Sequence, residues 1–168
     1  MKHKQQQSFQ RKSIDTDKDP YLTSAVPEDP SSCKKCGSVY HDKRWVNKDE
    51  ASEDLLMKAK PTALCPACRK IRDNYPEGFL LLEGDFVKEH REEILNLLRN
   101  KESLAQSINP LERIITLKER EGVIEVATTT EKLAQRMGQI LSRAFNREAE
   151  FKWSSDTKMA RVIWRRDG

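Results

Sequence analysis

The four cysteines of this 168-residue chain fall in two close pairs, Cys33-x2-Cys36 and Cys65-x2-Cys68, and no thiol lies outside them. Thiolates two residues apart can converge on one tetrahedral ion, and two such pairs complete a four-sulfur site with metal–sulfur bonds of about 2.3 Å. The flanking residues fit that use. "CKKCG" sets a glycine after the second thiol, where a tight knuckle needs backbone freedom, and "CPACRK" sets a proline where a turn enters a helix. One structural Zn2+ is the expected ion. Iron in a rubredoxin-like site is the alternative that spacing leaves open. His41 follows Cys36 by five residues, but four sulfurs already close the site, so it reads as a surface or outer-shell histidine.

Two other uses of paired thiols fit less well. The N-terminus, "MKHKQQQSFQRK", lacks the apolar core of a signal peptide, so a cytoplasmic chain is expected, and disulfides are disfavoured there. Thioredoxin-type exchange needs a pair that opens the helix of a βαβ unit, and no such unit frames either pair.

Cations and rings crowd the same segment. Lys34, Lys35, Lys43 and Arg44 accompany Tyr40 and Trp45, and Arg69, Lys70 and Arg72 follow the second pair. A metal-fixed loop of this kind can offer cations to phosphates and flat rings to unstacked bases, so RNA is the expected ligand. Trp45 reads equally well as part of the small core of the finger. A second cationic set lies on a helix after residue 130. At 100° per residue Lys132, Arg136, Arg143 and Arg147 share an arc of about 60° that no acid of that helix interrupts. The formal net charge is only +4, so the placement of cations matters more than their number.

The elements that must hold these groups divide the chain in three. Residues 1–30 are poor in apolar side chains and read as a disordered arm. Residues 31–78 form the four-cysteine finger, treble-clef-like or ribbon-like. A core this small is marginal without metal, so chelation is expected to unfold the finger and spare the rest. Its insertion "NKDEASEDLLMKAKP" predicts a short helix capped at Asn47 and ending before Pro61. Residues 79–168 make the α+β unit. "GFLLLEG" reads as a short strand. Phe86, His90, Ile94, Leu97 and Leu98 then mark one helix face, with His90 as a packed core histidine. "LERIITLKER" and "VIEVATTT" form a hairpin around "EG". A helix capped through Thr128 and Glu131 and a second hairpin around "SSDT" complete an α-β-β-α-β-β unit. The expected architecture is a four-stranded antiparallel sheet with two helices on one face. Phe151, Trp153 and Trp164 would dock a partner if they crowd the other face.

Function classes narrow accordingly. No apolar run approaches the roughly 20 residues of a membrane-spanning helix. Phosphate-binding and dinucleotide-binding glycine motifs are absent, and the three histidines stand beside no evident nucleophile, so a non-catalytic protein is expected. In motif order, "CKKCG", "LCPACRKIRDNYPEG" and "GVIEVATTTEKLAQRMGQILSRAF" resemble the zinc-binding adaptor family of the large ribosomal subunit, the nuclear-export adaptor and its archaeal homologues. That family typically carries eight cysteines where this chain has four. The resemblance implies an adaptor on ribosomal RNA or a ribosomal particle. The alternatives are a zinc-stabilised scaffold for a protein partner and an iron electron carrier.

Overall fold

The computed structural model describes residues 26–154, 156 and 159–168, so the arm expected over 1–30 lies almost wholly outside the described residues. From Ser31 the chain makes a small sheet of four strands: β1 (Ser31–Cys33), β2 (Val39–His41), β3 (Arg44–Val46) and β4 (Lys60–Ala63), ordered β3-β2-β1-β4. The hairpin β2–β3 turns through Asp42 and Lys43, both with positive φ, the two-residue geometry that matches strand twist. The insertion differs from its expected form. Asn47 makes no side-chain cap, residues 48–50 form a single 3-10 turn, and the helix α1 (Glu53–Lys58) starts at Ser52, whose hydroxyl accepts from Leu55 N. Pro61 does not merely stop a helix; it sits in β4, an edge strand, where its missing N–H costs no ladder bond. Helix α2 (Pro66–Asp73) follows and ends on Asn74 in the left-handed conformation.

The second unit corrects the expected four-stranded antiparallel sheet. Its strands are β5 (Gly78–Glu83), β6 (Ile114–Arg120), β7 (Val123–Thr128), β8 (Glu150–Ser154) and β9 (Met159–Arg165), ordered β6-β7-β5-β9-β8. The pair β5–β9 is parallel and the other pairs are antiparallel. The reason lies in "GFLLLE": four consecutive apolar residues fill both faces, which suits a central strand rather than a stray one. A helical crossover joins β5 to β6, and β7 is inserted between them, so the first part is a split βαβ unit.

The crossover is also two helices rather than one. Helix α3 (Asp85–Glu89) and helix α4 (Arg91–Ile108) meet at His90, whose ring stacks on Phe86 at 3.9 Å and pairs with Glu93. His90 is therefore a half-exposed lid on the core. Helix α5 (Glu131–Phe145) is capped by Thr130 accepting from Leu133 N, two residues later than expected, because Thr128 belongs to β7. Glu121 and Gly122, both with positive φ, close the hairpin β6–β7.

One apolar cluster joins Leu80, Leu82, Val126, Val162 and Trp164 of the sheet to Ile94, Leu98, Leu133, Met137 and Leu141 of the helices. Two of the three late aromatics, Phe151 and Trp164, serve this core. Trp164 is fully buried, with its indole N–H on Arg147 O, and Phe151 packs over Gly138. Trp153 is exposed, but its register with Ala160 and Gly78 puts it at the edge of the helix side. Among the described residues no helix is long and apolar enough to cross a membrane.

Candidate metal centre

Strand pairing brings the two cysteine pairs together. Cys33 ends β1, and the chain doubles back so that Cys33 N bonds Ser38 O and Gly37 N bonds Cys33 O; Gly37 takes φ +79° to do so. Parallel pairing sets Cys33 opposite Ala63, and Lys34 N bonds Ala63 O. Cys65, two residues on, is thereby delivered beside Cys33. Its sulfur also caps α2 by accepting from Cys68 N, which points the first turn of that helix at the cluster.

The four sulfurs lie within 4.8 Å of one another, and none is in a disulfide. Cys36 and Cys65 stand 3.7 Å apart at sulfur, close to the about 3.8 Å edge of a tetrahedron built on 2.3 Å bonds. Cys33, Cys65 and Cys68 are buried and Cys36 is half-buried. These residues can hold a metal ion. Donors already face the sulfurs: Lys35 N and Cys65 N toward Cys33, Cys68 N toward Cys65, and the Ser38 hydroxyl 3.1 Å from Cys36. A side chain from the other unit joins them, with Arg113 Nη1 donating to Cys68 Sγ at 3.2 Å. Four thiolates around a divalent ion would leave two negative charges, and Arg113 would offset part of that excess.

Crowding splits the acidities of the thiols. A hydrogen bond from the Cys65 thiol, with help from Ser38, pulls Cys36 down to about 4. Cys65, which supplies that hydrogen and is buried, is pushed far up, and burial lifts Cys68 to about 11. Sulfurs this close share protons until a cation replaces them, which is the donor chemistry of a metal site. His41 stays outside the cluster, exposed and 2.8 Å from Asp29, whose carboxyl that bond holds below its ordinary range.

The cations named from sequence separate into two groups. Lys34 and Lys35 on the first knuckle, and Lys43 and Arg44 at the β2–β3 turn, are exposed beside it. Trp45 packs on the cysteine cluster with Tyr40 tilted against it at 5.4 Å, so these rings build the small core of the finger. Arg72 is exposed and pairs with its neighbour Asp73, and Arg69 is half-buried. Lys70 is a correction. It is buried, 2.8 Å from Glu77 and 3.1 Å from Thr129 O, and it clamps α2 to the sheet rather than facing a ligand. On α5, Lys132 and Arg143 are exposed, but Arg136 bonds both carboxylate oxygens of buried Glu112, and exposed Arg147 is off the helix, which ends at Phe145 with Asn146 in the left-handed conformation. An acid from the loop before β6 thus interrupts the ridge that looked uninterrupted within its own helix.

That loop is the part of the site sequence reasoning missed. Leu111 packs on the cysteine cluster, and Thr129 holds the loop by bonding both Leu111 O and Arg113 N. Arg113 and Cys68 are 45 residues apart in sequence, and no spacing rule links them. Comparison with protein-family models, with curated proteins and with solved structures found no match.

Proposed function

We propose that the chain is a non-catalytic, zinc-binding adaptor that holds RNA through the rim of its metal centre. The first cysteine pair in a strand-to-strand knuckle and the second at a helix start support a treble-clef-like finger. The observation that carries the RNA reading is the exposure of Lys34, Lys35, Lys43 and Arg44 around sulfurs that are themselves buried. A loop fixed by metal loses little entropy when phosphates dock on it. Zinc suits the purely structural task, since it has no redox chemistry and a closed four-sulfur shell leaves no open position. Ribosomal RNA is the first candidate because of the motif order shared with ribosomal adaptors.

The test is crosslinking in cells, sequencing of the bound RNA, and metal analysis of the same preparation. Stoichiometric zinc and enriched ribosomal sequence are expected. In vitro, log affinity should fall with log salt by about 0.7 for each phosphate neutralised on a single strand. Lys34→Glu with Lys35→Glu should weaken binding without changing the zinc content. A red, iron-loaded protein would favour the electron carrier. Protein partners without RNA would favour the scaffold.

A further inference from the structure

The five-stranded sheet has two faces, and its helices use one. Leu80, Leu82, Ile124, Val126, Val162 and Trp164 point into the core against α4 and α5. Pleating sends alternate residues the other way. Register then lines up Ala127, Phe79, Arg161 and Lys152 as one row across β7, β5, β9 and β8, and Glu125, Leu81, Ile163 and Glu150 as the next. Phe79, Leu81 and Ile163 are half-buried and take no part in the core cluster.

The two rows differ in charge. The second mixes Lys118 of β6 with Glu125 and Glu150. The first holds no acid: the Arg161 guanidinium stands 5.8 Å from the centre of the Phe79 ring, and exposed Lys152 is its cross-strand neighbour. Three half-buried apolar side chains are far short of the roughly 800 Å² per partner of a stable protein interface. A flat ring with two cations in file on one side instead matches a base with the phosphates that follow it, and sheets of this size can stack two or three bases. The row also lies at the finger end of the sheet, since Phe79 is two residues beyond Glu77, which Lys70 grips.

We propose that this uncovered face binds unstacked bases of single-stranded RNA, with Phe79 as the stacking platform and Arg161 and Lys152 on the adjoining phosphates. The proposal rests on the RNA reading above and adds a second contact, independent of the metal centre.

The experiment titrates the full zinc-loaded chain into a short fluorescein-labelled single-stranded RNA of mixed sequence and into its duplex, following anisotropy. Phe79→Ala should weaken single-strand binding about 5- to 150-fold, the range for one lost base stack. Phe79→Trp should retain it. Arg161→Glu, at an exposed position and so a safe control for folding, should weaken it and flatten the salt dependence. If Phe79→Ala and Arg161→Glu both bind like wild type while Lys34→Glu with Lys35→Glu does not, this inference fails and the finger reading stands. If wild type binds the duplex but no single strand, this inference fails and the finger reading stands; if it binds neither, both fail. Self-association of wild type that Phe79→Ala abolishes would overturn the proposal in favour of a face for a second copy.

Discussion

The finger and the α/β unit solve the same stability problem with different means. Sixteen buried residues form the apolar cluster of the larger unit, whereas the finger cluster has four, three of them cysteines. One region is held by the area it removes from water. The other orders about 45 residues around four clustered sulfurs, where a bound metal ion would supply what so small a core lacks against the entropy of the chain. The same contrast decides where change is tolerated: a core can relax around a missing methyl, but a tetrahedral site cannot lose a ligand and remain closed.

The largest effect that would break this contrast is metal removal. Structural zinc contributes on the order of 10 to 16 kcal/mol in small fingers, so chelation or Cys65→Ser should expose the amides of 31–73 to hydrogen exchange while β5 and β9 stay protected. The protection of 109–113 should also fall, because Leu111 and Arg113 rest on the sulfurs. Zinc affinity should drop as pH falls, since burial and sulfur–sulfur hydrogen bonding keep protons on Cys65 and Cys68 that the ion must displace. Competition with a chromogenic chelator between pH 8 and about 6 measures that directly. Uniform loss of protection across the sheet on chelation would show that the two regions are not separate in energy.

Next in size, Trp164→Ala should cost about 3 to 5 kcal/mol in denaturant unfolding of the larger unit and leave zinc stoichiometry unchanged. Lys70→Met strands the buried Glu77 carboxylate and should cost about 3 to 5 kcal/mol, much of it recovered by adding Glu77→Leu. Failure of that recovery would mean the pair acts through something other than charge burial. The smallest effect belongs to the surface: Arg143→Glu should stay within about 0.5 kcal/mol in stability and lower RNA affinity. Arg136→Glu is a different substitution, because it strands buried Glu112 and should destabilise the fold as well.

How far the molecule could be read from its sequence follows the same division. The clustering of the four cysteines was legible because a two-residue spacing is local and thiols have few other uses in such a chain. Both hairpins were legible too, since strand alternation and "EG" are short-range signals. The parallel pair β5–β9 was not, because its partners are separated by the whole crossover and nothing in either strand names the other. Lys70 and Arg136 looked like solvent-facing cations for the same reason. Their acids, 7 and 24 residues away, come from other elements, and a helical wheel shows only its own helix. The aromatic strands did not reveal their orientation in sequence: Phe151 and Trp164 turn toward the helices, and the face they leave open is set by Phe79 instead.

The short stretch from Asn74 to Glu77 has a wider consequence. Tyr75 N bonds Lys70 O, Glu77 N bonds Thr128 O and Ala160 N bonds Glu77 O, so hydrogen bonds tie the joint to both sides and restrain any swing of the finger. If the finger rim and the Phe79 row both take RNA as proposed, a strand long enough to reach across the joint would meet two half-sites at a preset separation and would bear little entropic penalty for aligning the second after the first. On that reading a ligand would be measured by its span before its chemistry is read, and lengthening this joint with glycines would erase the ruler while leaving each half-site whole.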